Sequence, residues 1–346
     1  MRRAFLATVG LVCIGAGCSL ALGFDGYSDN VDCAHTAPPA PPLHEGTGKN
    51  VGGLVAAFSY MSLEGRDPKG APITLGFDLD GLCTCPGAGA CKPVTAGTAP
   101  LCDDPGTGQD NAVQKLLDQL KSFLPFNDAV FNAALREGLF SELIRIDNYN
   151  GTPDDSEVDV AFLNGLALAG DGGAPTFRGD SWLVERSSSG VPVYLVKGYV
   201  SASTLVARYV QVAGKDGLRM VWTLPGLDGG TGPRVAISLT EATISATMSV
   251  SADGQLTLTN GRLGAKLTSS NALEIPRAFG QCSGQGFDQA RRQFCALADL
   301  PNKDGLCDSL SFSLAFEAAS AKVSGEMDLP SLTACGDAGP APSCTQ

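Results

Sequence analysis

Near the end of the chain, Leu310, Phe312, Leu314 and Phe316 occupy every second position. A period of two buries one face of a β-strand and leaves the other face free. The same alternation recurs at Val158, Val160 and Phe162. It is found again at Val235, Ile237 and Leu239 within Arg234 to Val250, and at Leu256 and Leu258 within Gln255 to Leu267. Asp253-Gly254, between the last two runs, marks a hairpin turn. Shorter apolar runs predict further strands: Leu54 to Phe58, Ile73 to Leu79, Val191 to Val200, Leu205 to Val212 and Leu218 to Leu224.

Between residues 110 and 140 the period lengthens. Val113, Leu116, Leu117, Leu120 and Leu124 recur at helical spacing, with Asp110 placed as N-cap and Pro125 as stop. A second short helix runs from Asn127 to Leu139, with Val130, Phe131, Ala134 and Leu135 on one face. So short a turn predicts a helical hairpin that packs on the sheet. Phe287 to Ala298 reads as another helix, carrying Cys295. About ten strands with turn signals between them predict a mainly β fold, an antiparallel sandwich or jelly roll, rather than βαβ units. It would occupy residues 51–346, with the helical insert at about 110–140.

Composition agrees. The 346 residues include 43 glycines and 21 prolines, and only 17% are charged, which suits turn-rich β structure. The formal charge of −12 repels phosphate backbones, so nucleic acid is not an expected partner, whereas cations are tolerated.

The start of the chain has its own pattern. Arg2 and Arg3 precede an uncharged run from Ala4 to Gly17 that ends on Cys18. A basic start, an apolar stretch and small residues form an export signal. Gly15-Ala16-Gly17-Cys18 resembles the lipobox of bacterial lipoproteins, with Gly15 where that family has Leu. The resemblance implies cleavage after residue 17, acylation of Cys18 and anchoring in a membrane. Ser19 in second place implies the outer membrane. An uncleaved span from Ala4 to Phe24, a plain secretory cut, or lipidation at Cys13 are the other readings. Pro38, Pro39, Pro41 and Pro42 lie between His35 and Gly48. They predict a stiff tether over residues 18–50 that holds the body off the membrane.

Beyond Cys13 and Cys18, ten cysteines remain: Cys33, Cys83, Cys85, Cys91, Cys102, Cys282, Cys295, Cys307, Cys335 and Cys344. An even number in an exported chain predicts disulfides. Their clustering predicts local pairs, within 83–102 and within 282–344. A zinc site of Cys83, Cys85, Cys91 and Cys102 is the alternative.

The only histidines, His35 and His44, fall in the expected tether. A nucleophile paired with an imidazole is therefore not expected in the body. No Gly-x-Ser-x-Gly elbow or phosphate-cradling glycine loop occurs. Carboxylates remain. Asp78, Asp80, Asp103, Asp104 and Asp110 with Asn111 offer hard oxygens suited to calcium. The alternative role for such residues is in turns and caps. Sugar binding would use exposed rings, for which Tyr149, Trp182 and Trp222 are the candidates.

Several segments resemble a group of uncharacterised lipoproteins of the myxobacterial type. They are Phe77-Asp-Leu-Asp-Gly-Leu-Cys-Thr-Cys85, Cys102-Asp-Asp104 with Gly108-Gln-Asp-Asn111, and Tyr149-Asn-Gly-Thr-Pro-Asp-Asp155. Phe294-Cys-Ala-Leu-Ala-Asp299, Cys307-Asp-Ser-Leu-Ser311 and Phe316-Glu317 complete the set. The resemblance implies envelope location and disulfides, not a reaction. The expectation is a non-enzymatic outer-membrane lipoprotein with a binding or structural role, supported by calcium and meeting a glycan or protein partner. A carbohydrate-binding or carbohydrate-active module is the alternative.

Overall fold

The computed structural model describes residues 34–82, 91–94, 108–120, 127–170, 173–186, 194–210, 217–225 and 231–329, with Cys335 and Cys344. The leader, Cys18, Cys33, Cys83, Cys85, Cys102, Asp103 and Asp104 lie outside them. In chain order the elements are β1 (Leu54–Ser62), β2 (Lys92–Pro93), α1 (Ala112–Leu120), α2 (Asp128–Arg136), β3 (Ser141–Asp147) and β4 (Asp155–Leu168). Next come β5 (Asp180–Glu185), β6 (Tyr194–Ser201), β7 (Thr204–Tyr209), β8 (Leu218–Pro225), β9 (Thr231–Val250) and β10 (Leu256–Thr268). Last are α3 (Ser269–Ala272), α4 (Glu274–Ala278), α5 (Gln285–Leu297), β11 (Leu300–Pro301) and β12 (Leu306–Met327).

The chain is mainly β, as its alternation predicts, but the strands do not divide into two facing sheets. Eight of them pair in a ring. β1 pairs with β3, β3 with β4, β4 with β6 and β6 with β7. Then β7 pairs with β9, β9 with β10, β10 with β12, and β12 returns to β1. Every pair is antiparallel and the ring follows chain order, so this is an up-and-down barrel rather than a sandwich or jelly roll. Alternation reports which face is buried. It does not report whether buried faces oppose one another across two sheets or curve round one axis, and here they curve.

The inward face is apolar. Phe58 stacks on Phe316 with ring centroids 4.3 Å apart, and Phe162 meets Phe58 edge-on at 6.1 Å and Tyr209 at 6.5 Å. Gly261 makes room for this cluster, since a Cβ there would fall 2.5 Å from the Phe316 ring. Two bulges keep the long strands in phase. Glu241 and Asn260 both take positive φ, and the β9–β10 register slips beside each. The buried set on β9 thereby steps from Leu239 to Ala242, and that on β10 from Leu258 to Gly261. Outward positions carry Lys197, Arg208, Thr247, Ser249 and Thr257, the reverse of a lipid-facing barrel. Among the described residues no helix is long and apolar enough to cross a membrane.

β5 lies outside the ring, joining the far ends of β4 and β12. Beneath it Trp182 packs with Val184 on Ala57, Leu143 and Ala321, a second small core. Gly165 admits this packing, because a Cβ would meet Leu143 Cδ1 and the Ser141 carbonyl at 2.6 Å.

One end of the barrel is closed by helices. α2 packs on β1 and β8, whereas α1 packs on β12 and α5, so the two halves of the expected hairpin serve different walls. α2 is pinned by side chains. Asn132 Oδ1 accepts from Met61 N (3.0 Å) and its Nδ2 donates to Met61 O (2.7 Å). One turn earlier, Asp128 accepts from Ser62 Oγ and Leu63 N. At the opposite end Val51 bridges to Tyr149 and both pack on the interior.

Four further expectations need correction. Ile73 to Leu79 is not a strand, because Gly76 sits at φ +83°, outside the pleated region. α1 starts at Ala112, after Asn111, and Asp110 turns its carboxylate to Leu79 N instead of capping. Disulfides join Cys282 to Cys335 and Cys295 to Cys344, within the expected local group. Cys91, however, bonds Cys307 across 216 residues, which removes it from both the local 83–102 group and the four-cysteine zinc site.

The proline-rich segment is the fourth correction. Residues 35–50 are strapped to the body rather than standing free. Thr36 O accepts from Asp78 N, Pro39 O from Tyr199 Oη, and Gly46 N donates to Asp154 O. Gly46 and Gly48 press so closely on Thr152 and Asn150 that a Cβ at either would fall within 2 Å of them.

Candidate metal centre

The candidate site lies against the outer face of β10 and β12. Gly76 lets the chain reach this wall, since a Cβ would fall 2.1 Å from Ser313 Oγ. Phe77 then covers Gly264, where a Cβ would lie 2.7 Å from the Phe77 ring. Two bonds fasten residues 108–111 beside this turn: Asp110 N to Phe77 O at 3.2 Å and Leu79 N to Asp110 Oδ2 at 2.7 Å. Ser313 Oγ donates to Asp110 O, and Ala112 N donates to Ser311 Oγ. The small polar positions of β12 thus hold the loop, while its apolar positions fill the barrel.

The result is three converging carboxylates. Asp78, Asp80 and Asp110 each present an oxygen, and the three oxygens lie within 4.8 Å of one another. Asp78 and Asp110 are buried, at 3% and 1% exposure. Asp78 Oδ1 accepts from Gly81 N and Asp80 Oδ1 from Leu82 N, which shapes the turn and aligns the acids. Flanking Asp110 in the chain, Gln109 Oε1 and Asn111 Oδ1 are buried without a hydrogen-bond partner. Three converging carboxylate oxygens, with further amide oxygens on the adjoining residues of the chain, suit calcium better than a soft or nitrogen-seeking ion. Asp103 and Asp104, the remaining expected ligands, lie outside the described residues.

The strap reaches this site. His35 Nδ1 pairs with Asp78 Oδ2, and Gln109 Nε2 donates to Thr36 Oγ1. This overturns the expectation that both histidines belong to a detached tether. An imidazole set against a buried carboxylate is one part of a general-base arrangement, so placement no longer excludes histidine chemistry.

The expected sugar-binding rings are elsewhere and inside. Trp182 and Trp222 are buried at 0% and 1% exposure. Tyr149 is buried too, its hydroxyl donating to Thr152 O at 2.7 Å. None of the three offers a face for stacking.

Sequence reasoning also missed a buried carboxyl, Glu142, at 0% exposure. The signal was present: Glu142 is in phase with Ile144 and Ile146 on the inward face of β3. Burial pushes its carboxyl well above the ordinary range, against the pull of the Val221 N–H. On the surface Lys197 bridges Glu157 and Asp159, which holds the Asp159 carboxyl down and the amine up.

No family model, curated protein or solved structure matches the chain.

Proposed function

We propose that this is a calcium-supported, lipid-anchored protein of the cell envelope with a binding or structural role rather than a catalytic one. The observation that carries the calcium reading is the convergence of Asp78, Asp80 and Asp110 within 4.8 Å in a largely buried setting. Carboxylates this close repel unless a cation or protons intervene. Asp78, Asp80, Asp110 and Asn111 would hold the ion, which would neutralise them and fix the strap to the barrel wall. Three disulfides among the described residues support an oxidising compartment, and Cys18 supports the anchor. The glycan reading loses the rings on which it depended.

The decisive experiment is a melting series with calcium, magnesium and chelator on the wild type and on a combined Asp78→Ala, Asp80→Ala, Asp110→Ala variant. Calcium should raise the wild-type melting temperature and leave the variant unmoved. Equal shifts in both proteins would remove the site. A glycan array on the same samples tests the runner-up, and intact mass of native material, with and without reduction, tests acylation at Cys18.

A further inference from the structure

The second strand of chemistry lies at the helical end of the barrel. β8 has a ladder with β9 along one edge. Its opposite flank meets side chains. Val221 N donates to Glu142 Oε1 at 3.2 Å and to Asn164 Oδ1 at 3.1 Å. Asn164 Nδ2 in turn donates to Glu185 Oε2 at 2.7 Å, and Arg219 lies 3.7 Å from Glu185. The Trp222 indole N–H lies near the Glu142 carboxyl without reaching hydrogen-bond geometry. Two side chains from β3 and β4 thus stand in for a missing neighbour strand.

One of those side chains can ionise. The groups facing it are Glu185 from β5, Arg219 and the Trp222 indole from β8, and the neutral Asn164 from β4. α2, which also packs on β8, turns its Asp128 away toward Ser62 and Leu63. Arg219 is engaged with Glu185, so an anionic Glu142 would sit buried beside a second carboxylate.

We propose that Glu142 is a proton-operated latch for β8. With its proton, the carboxyl holds the strand's flank against β3 and β4. When the proton leaves to solvent, the carboxylate accepts more strongly from Val221 N, but a buried charge beside Glu185 costs more than that bond returns, and the flank is released. Release would uncover Met220 and Trp222, both buried against the interior apolar cluster. The latch is thus a gate to the inside of the barrel, closed while Glu142 keeps its proton and opened as pH rises. Burial is its main cause, since desolvation holds the proton on Glu142 far into the range where an exposed glutamate has lost it.

Amide hydrogen exchange at Val221, corrected for the intrinsic base-catalysed rate, tests this on the whole protein with its disulfides intact. Protection at Val221 should fall by up to about tenfold per pH unit, the limit for one linked proton, from the ordinary glutamate range up to the pH at which closed Glu142 ionises, and then level off. Far-UV circular dichroism should not change, and Val160 in the barrel wall should keep its protection. Glu142→Gln keeps an acceptor for Val221 N and should hold protection flat across the same range. Glu185→Gln, which removes the neighbouring carboxylate, should move the midpoint to lower pH. Unchanged Val221 protection in the wild type up to pH 10, or the same loss in Glu142→Gln, would overturn the latch. If Glu142→Gln does not fold, the Glu185→Gln midpoint decides, and an unmoved midpoint counts against the proposal.

Discussion

Replacing Asn132 by alanine should destabilise the fold far more than its place on a short helix suggests. Its amide grips both main-chain polar groups of Met61, accepting at 3.0 Å and donating at 2.7 Å. The Asn132 side chain completes the ladder where β1 has run past β3, while β12 still pairs along its other edge. Truncation leaves one buried N–H without its acceptor and one buried carbonyl without its donor. Each such loss costs about 1–3 kcal/mol, so the expected cost is roughly 2–6 kcal/mol. Alanine's better helix propensity returns under about 1 kcal/mol, too little to change the sign. Urea unfolding followed by tryptophan emission is the assay, because Trp222 lies 4.8 Å from Phe131 on the same helix. Asn132→Leu separates the causes: it restores volume but not the bonds, and should be as damaging as alanine. If the leucine variant unfolds at the wild-type midpoint, packing rather than ladder mimicry holds α2 to β1, and the reasoning fails.

Glu142→Gln should change how stability depends on pH. The folded-state pKa is raised, so the wild type draws most from this group below the ordinary glutamate range and loses that contribution as pH climbs toward the folded value. The slope is at most about 1.4 kcal/mol per pH unit for one proton. The variant should therefore gain on the wild type between pH 5 and pH 8, and an equal gap in denaturant midpoint at both would refute this. Removing the Cys91–Cys307 bond by double alanine substitution should cost about 2–5 kcal/mol, read as a lower melting temperature under oxidising conditions; no shift would show that β2 is held by other contacts. Gly261→Val should cost about 1–3 kcal/mol by overpacking against Phe316, and a melting curve equal to the wild type would mean the interior has slack there.

Much of the barrel was legible as strands, because inward residues such as Val158, Val160 and Phe162 repeat with the pleat. Closure was not legible, since the β12–β1 pairing joins the two ends of the chain and leaves no local trace. The bulges at Glu241 and Asn260 were also hidden. Each shifts the phase by one residue without a glycine at the left-handed position. At the candidate site the acids Asp78, Asp80 and Asp110 were readable as types. Their convergence depends on the bond from Asp110 N to Phe77 O, across 33 intervening backbone links that carry no periodic signal. Trp182 was misread for a related reason. Its burial comes from β5 folding over the outside of the ring, onto positions that in a bare barrel would face solvent.

The docking of residues 35–50 sets how far the body can roam. If Cys18 is acylated as proposed, the strapped residues add nothing to the reach of the leash from there to residue 34, whatever its conformation. At about 3.3 Å per extended residue it reaches no more than about 50 Å. Were the strap to peel away as far as Val51, the leash would double to about 110 Å. The contacts that hold it begin at Thr36 and Asp78, so the length of the leash is governed at the same few atoms where the acids meet.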